Sequence, residues 1–219
     1  MAQNTSPAVM AQRREPKDAL DDFPTPPWAT RALCEFLLTL PIEGLFHPDF
    51  WVVREPAANR GYMLRPLLEY FRVVHASDVA DYGLGYELRD FLWPDELPEV
   101  HWTITNPPFR LADQFVRRAR ETSREGVAIF VRTAFLEGAG RYRDLFQVDP
   151  PQHILQFSER VVIHRGRVVE KGSSATAYCW LVWRGPATPG TPPQFHWVAP
   201  CRARLERPGD YAPHGRVRP

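Results

Sequence analysis

Lysine is almost missing from this chain: of 27 basic residues only Lys17 and Lys171 are lysines, and the other 25 are arginines. Arginine suits bidentate contact with phosphate or guanine, but beside 23 prolines the bias reads more simply as the imprint of GC-rich coding. It therefore identifies no ligand. Cysteine is scarce as well. Cys34, Cys179 and Cys201 are odd in number and far apart, which argues against a disulfide framework and against zinc, so free thiols and no metal are expected. No apolar run approaches the length of a membrane span, and the first residues lack a signal-peptide core. The expectation is a cytoplasmic protein without a membrane partner. Net charge is small too, +1 at pH 7, so total charge alone gives no sign of a nucleic-acid partner.

What is present points to one folded unit. A chain of 219 residues with 44% apolar content can bury a sizeable core. Residues 1–21 are polar and aperiodic, and residues 185–219 are rich in proline and arginine. The expected division is a flexible tail over 1–21, a domain over 22–184 and a loosely packed extension over 185–219. Charge is divided unevenly along this length. Residues 1–100 hold nine basic and sixteen acidic side chains, a net of −7, whereas residues 101–219 hold eighteen and ten, a net of +8. Such asymmetry fits an acidic half around a cationic ligand and a basic half facing phosphates.

The most informative segment is Asn106-Pro107-Pro108-Phe109, placed directly after the β-prone run His101-Trp102-Thr103-Ile104-Thr105. Two consecutive prolines fix φ and remove two N–H donors, leaving a stiff turn whose carbonyls are open to hydrogen bonds. Such a turn suits an exocyclic amino group. The Asn106 side-chain oxygen and the Pro107 carbonyl can each accept one amino hydrogen, while the Phe109 ring covers the face of a planar base. The tetrapeptide resembles the catalytic motif of the S-adenosylmethionine-dependent amino-methyltransferases, which methylate adenine N6, cytosine N4 or a glutamine amide.

Upstream, residues 50–55 read as a buried strand, followed by Pro56-Ala57-Ala58-Asn59-Arg60-Gly61 and a helix over 62–71. In open α/β sheets a ligand sits beyond the carboxyl ends of the strands, where the first such turn brings backbone close to it. A carboxylate at that point, Glu55, suits a cation better than a phosphate. Glu55, Pro56 and Ala57 with Gly61 resemble the family's first cofactor motif, with Asn59 standing where the family usually has glycine. Asparagine tolerates the left-handed conformation better than most residues, so the turn can survive. A second strand over 71–77 ends at Asp78, 23 residues after Glu55, the spacing of one β–α–β step to a ribose-binding acid or simply a loop acid. Asp90 and Phe91 resemble the family's adenine-binding motif; as plain residues, Phe91 and Leu92 are equally consistent with core. Ahead of the first strand, Thr25 reads as the N-cap of an amphipathic helix with Pro26 at its first position. The resemblance adds that Phe23 and Thr25 belong to a segment closing over the cofactor.

Downstream, the sequence predicts a helix over 111–124, a strand over 127–132, a short helix over 141–146, a strand over 153–157, and strands over 160–164 and 175–183 bracketing a basic loop, 165–174. The expected fold is α/β, a Rossmann-like class I methyltransferase with a mostly parallel seven-stranded sheet ending in an antiparallel hairpin. The resemblance implies a bacterial or phage enzyme that uses S-adenosyl-L-methionine to methylate adenine N6 in DNA, with Asn106, Pro107, Pro108 and Phe109 catalytic. It implies a cofactor site of Phe23, Thr25, Glu55, Pro56, Ala57, Gly61, Asp78, Asp90, Phe91 and Asn106. RNA adenine, a protein glutamine, or a degenerate binding subunit are the alternatives. Little chain remains for reading DNA. Arg141, Arg165, Arg167 and Lys171 are the candidate DNA contacts, acting alone, in a homodimer or with a recognition partner.

Overall fold

The computed structural model describes residues 21–41, 50–186 and 189–212, so all but the last residue of the expected N-terminal tail lies outside the described residues. A helix, α1 (Pro27–Thr39), leads into strand β1 (Val52–Glu55), helix α2 (Leu64–Tyr70), and strands β2 (Val73–Asp78) and β3 (Glu87–Leu88). Strand β4 (Val100–Thr105), helix α3 (Ala112–Glu121), strand β5 (Ser123–Arg132), a short helix (Ala139–Arg141) running into a π turn (Tyr142–Phe146), strand β6 (His153–Phe157) and strand β7 (Tyr178–Arg184) follow. Strand β8 (Gln194–Val198) and a short helix, α4 (Arg202–Leu205), come last.

The strands form one sheet in the order β3-β2-β1-β4-β5-β7-β6-β8. All pairings are parallel except those of β7, which runs antiparallel to both β5 and β6. The sequence explains the central positions. From Val127 to Val131, β5 is apolar and buried, and β7 is Tyr-Cys-Trp-Leu-Val-Trp before its final arginine, as strands covered on both faces require. Close approach also fixes one glycine: a Cβ on Gly126 would lie 2.5 Å from the Trp102 ring and from the Trp183 carbonyl.

One face of the sheet packs against α1 through Trp28, Leu33 and Leu37, with Trp102, Phe130 and Trp180 from the strands. The indole of Trp180 donates to the Ala29 carbonyl at 3.0 Å. The other face packs against α3 through Phe115, Val116 and Ala119, over Val127, Ile129 and Leu181. Helix α3 carries Asp113 in its first turn and Arg118 and Arg120 in its last, the arrangement its dipole favours.

The structure revises the sequence reading in three places. Eight strands form instead of seven: Glu87–Leu88 adds a parallel edge strand to β2 and Gln194–Val198, inside the proline-rich extension, adds one to β6, while one expected strand is lost. The stretch over 160–164 is no strand; Val161 and Val162 are buried at 1% and 5% exposure as loop packing, and β6 takes the hairpin position against β7. Helix α1 starts at Pro27 with Pro26 as its N-cap, so Thr25 does not cap it.

Beyond β8 the chain remains attached. Arg31, buried on α1, donates two hydrogen bonds to Asp210 at 2.7 and 2.8 Å, two to Glu69 at 2.8 Å, and one to the Leu205 carbonyl at 2.7 Å. Breaking such a buried pair by removing one partner typically costs about 3–5 kcal/mol. The three cysteines are free and buried; burial pushes Cys201 up to about 11 and Cys179 up to about 12, so neither ionises near neutrality. Among the described residues no helix is long and apolar enough to cross a membrane.

Candidate active site

Strands β1, β2 and β4 end side by side, so the turns that follow them converge on one cleft. Phe23, Thr25, Pro56, Ala57, Asp78, Asp90, Phe91 and Asn106 line it, eight of the residues assigned to a cofactor from the sequence. Glu55 and Gly61 are not among its lining residues. Asp21, Asn59, Tyr62 and Tyr82 line it as well. Tyr82 was legible in principle, as an aromatic residue on the loop that follows Asp78. Burial pushes its hydroxyl up to about 12, and Arg60 lies over its ring at 5.2 Å.

The turn after β1 is held from several sides. Asn59 has φ of 49°, the left-handed conformation that its short amide tolerates. Its backbone N–H donates to Asp78 Oδ2 at 2.8 Å, its Nδ2 donates to Asp22 Oδ1 at 2.8 Å, and its Oδ1 accepts from the Arg60 N–H at 2.6 Å. Asp78 Oδ1 accepts from the Ala80 N–H at 2.9 Å. Burial raises the Asp78 pKa against these hydrogen bonds, and nearby Asp22 adds to the rise. Across the cleft Asp90 Oδ1 accepts from the Leu92 N–H at 2.9 Å, a turn that leaves Phe91 buried against Phe115 with ring centroids 5.1 Å apart.

Glu55, the last residue of β1, is fully buried. Its Oε1 accepts from Thr105 Oγ1 at 2.6 Å and from the Ala57 N–H at 3.0 Å, whereas Oε2 is buried without a partner. Burial pushes this carboxyl up to about 8; the Thr105 and Ala57 hydrogen bonds oppose the rise and Asp78 reinforces it. A cation placed beside this buried carboxyl would favour its ionised form. The Thr25 hydroxyl is likewise buried without a partner.

The turn after β4 is arranged differently. Asn106 Nδ2 donates to the Phe23 carbonyl at 2.8 Å, which fixes the amide plane, while Asn106 Oδ1 is buried with no partner. An amide carbonyl buried in this way is an acceptor waiting for a donor. The Phe109 N–H donates to Asp21 Oδ2 at 2.6 Å, and the Leu111 N–H closes the turn on the Pro108 carbonyl at 2.9 Å. The half-buried Phe109 ring has Phe23 at 5.7 Å, Tyr178 at 6.4 Å and the Arg132 guanidinium carbon at 4.1 Å from its centroid. Nothing in the sequence links Asp21 to Phe109, 88 residues away. Arg132 was findable, since it ends a strand on the side of the sheet where ligands bind.

The basic candidates part company. Arg141 is engaged internally: it donates to Asp113 at 3.0 Å and to the Phe135 and Glu137 carbonyls at 2.8 and 2.7 Å, and it lies 4.0 Å over the Phe135 ring. Arg165, Arg167 and Lys171 are exposed on their loop. That loop reaches the site, because the Gly166 N–H donates to the Asp22 carbonyl at 2.8 Å. Among the described residues no group of three or more His, Cys, Asp or Glu is placed to hold a metal ion.

No family model matches the sequence, and no curated protein sequence matches it. Among solved structures the chain is similar to the M protein of the type I restriction enzyme EcoKI, with a TM-score of 0.57 and 15% identity, covering 83% of this chain and 50% of that one. This chain therefore spans half the length of that protein. It is also similar to the 23S rRNA methyltransferase ErmE (TM-score 0.45, 16% identity, 74% and 70% covered). A predicted O-methyltransferase, Atu636 from Agrobacterium tumefaciens, gives a TM-score of 0.46 at 11% identity, with 80% and 86% covered. The first likeness shows the fold, a Rossmann-like methyltransferase sheet, and the other two carry no argument beyond it.

Proposed function

We propose that this chain is an S-adenosyl-L-methionine-dependent methyltransferase acting on the N6 amino group of adenine in DNA. The observation that carries the reading is Asn106: its nitrogen is held by the Phe23 carbonyl and its buried oxygen has no partner. Held so, the oxygen accepts a hydrogen from an exocyclic amine, and the Pro107 carbonyl accepts the second. Withdrawing both hydrogens toward acceptors draws the amine from planar toward pyramidal and frees its lone pair, a stabilisation larger in the transition state than in the ground state. Phe109 stacks on the base, which must leave a duplex to reach it.

The residues present fit the proposed cofactor. Its charges are a sulfonium, an ammonium and a carboxylate; the unpartnered Thr25 Oγ1 belongs to a residue lining the cleft just ahead of α1, and the unpartnered Glu55 Oε2 lies buried at the end of β1, beneath the lining residues Pro56 and Ala57. Asp78 and Asp90 line the cleft where ribose and adenine amino groups would be bound, with Phe91 packing on the adenine. When bound, the cofactor supplies an electrophilic methyl group. With Asn59 in a stable left-handed turn, the reason to suspect a degenerate binding subunit is weakened.

DNA is favoured over the other acceptors by the likeness to a restriction-enzyme M protein and by the net charge of +8 after residue 100. The exposed Arg165, Arg167 and Lys171 would contact phosphates, with a second copy or a recognition partner adding to the DNA contact. The test is transfer of labelled methyl groups from S-adenosylmethionine to DNA, RNA and protein in parallel, followed by mass spectrometry of digested product. N6-methyladenine in DNA is expected. Label on cytosine, or on RNA or protein alone, would overturn the acceptor assignment, and no transfer to any of them would overturn the enzyme reading.

A further inference from the structure

The residue that most needs explaining is Arg132. Strand alternation puts Phe130 and Arg132 on the α1 face of the sheet, and β-pairing sets Arg132 directly opposite Tyr178, whose hydroxyl lies within its hydrogen-bond reach. Strand β4 ends one strand over: Thr105 pairs with Ile129, so the proline turn runs alongside residues 130–132. The Arg132 guanidinium lies over the Phe109 ring at 4.1 Å and 5.8 Å from the Phe23 ring. Its Nε is buried without a hydrogen-bond partner.

A guanidinium is planar, delocalised and stacks on aromatic faces much as a nucleobase does. At 4.1 Å it is in contact with the ring. A base inserted between the two would need a separation of roughly 7 Å, twice the thickness of a stacked ring. There is no such gap. A base that stacks on this face of Phe109 must therefore take the place of the guanidinium.

We infer that Arg132 is a further substrate-handling residue of the acceptor site: its guanidinium holds the stacking face of Phe109 in the absence of substrate and is displaced when the base enters. This deepens the proposed function and rests on its assignment of Phe109 to base stacking. The arginine keeps an apolar face covered between turnovers, and the unpartnered Nε means that its departure breaks no hydrogen bond at that atom. It also sets a threshold for entry, since a planar acceptor must stack on Phe109 better than the guanidinium does. Large planar bases meet that condition, and a glutamine amide does not.

The experiment titrates adenosine, a neutral probe without phosphate, against the full-length protein saturated with S-adenosylhomocysteine, using ligand-observed NMR. Arg132→Ala is expected to bind adenosine about tenfold more tightly than the wild type, because a competing cation–π contact is gone. Arg132→Lys should fall between them, since an ammonium keeps the charge without the stacking plane, and it serves as the test if the alanine variant does not fold. Equal or weaker binding by these variants, with measurable binding by the wild type, would overturn the displacement and leave the base pocket standing. If neither variant nor wild type binds adenosine, the base-pocket reading itself fails and the inference with it.

Discussion

Asn59 and Asn106 lie in the turns that follow neighbouring strands of the same sheet and line the same cleft, yet the fold treats their side chains in opposite ways. Asn59 has its backbone N–H and both side-chain polar atoms engaged: N–H to Asp78, Nδ2 to Asp22, and Oδ1 from the Arg60 N–H. Asn106 has its nitrogen engaged and its oxygen buried and open. Hydrogen-bond saturation separates a residue that shapes a site from one placed to act in it. A satisfied amide holds backbone, here an unusual φ of 49°, and its removal is a matter of stability. A half-satisfied amide on the wall of a cleft leaves an acceptor that a ligand can complete.

The largest effect that this contrast predicts is on Asn106→Ala. Removing a preorganised hydrogen-bond partner of the reacting group should lower the rate of methyl transfer by about 10²–10³-fold, with cofactor affinity nearly unchanged, as single-turnover rates and calorimetry will report. Next in size is a pH effect at Glu55, whose buried carboxyl is pushed up to about 8 from an ordinary 4.5. Below pH 8 the folded protein holds this proton, so binding a cation beside it must release the proton. Affinity for S-adenosylmethionine should rise by up to about tenfold per pH unit toward pH 8 and then level off. Without ligand the same shift works against the fold: stability contributed by the protonated carboxyl is present at low pH and declines between 4.5 and 8, because the unfolded chain loses the proton first. Glu55→Gln should flatten both dependences; unchanged profiles would detach Glu55 from the cofactor.

Phe109→Ala follows, with a loss of about 1–3 kcal/mol in capture of the base, read as a raised KM for DNA. A fall in kcat at constant KM would mean that the ring positions the turn instead. The smallest effect belongs to Asn59. Asn59→Ala places a Cβ in the left-handed region and should lower stability by about 1–2 kcal/mol, measured as the thermal midpoint, whereas Asn59→Gly should stay close to wild type. Equal losses in the two variants would show that the Asp22 and Arg60 hydrogen bonds, not the backbone conformation, are what the asparagine supplies.

Much of this arrangement was legible in the sequence, and the parts that were not share a cause. The β-prone run before Asn106 and the prolines after it define both strand and turn locally, as do the carboxylates closing β1 and β2. Local pattern also misled. Thr-Pro-Pro invites an N-cap one residue too early, although Pro26 takes that place and leaves the Thr25 hydroxyl buried and open. Strand β8 was hidden because prolines at 189, 192 and 193 mark the region as a linker, while its pairing with β6 is set by tertiary contact. Asp21 and the Arg31–Asp210 pair depend on contacts across 88 and 179 residues, which no periodicity encodes. Arg141 shows the converse: it is a basic residue in a plausible place whose guanidinium the fold has already engaged.

Under the proposed function the open oxygen of Asn106 acts on the amine while Asn59 only holds the turn. The most direct measurement is single-turnover methyl transfer to DNA by wild type, Asn106→Ala and Asn59→Gly, all saturated with S-adenosylmethionine and with product quantified as N6-methyladenine by mass spectrometry. A wild-type rate is expected for Asn59→Gly and a fall of about 10²–10³-fold for Asn106→Ala. Full activity in Asn106→Ala, or equal losses in the two variants, would contradict it.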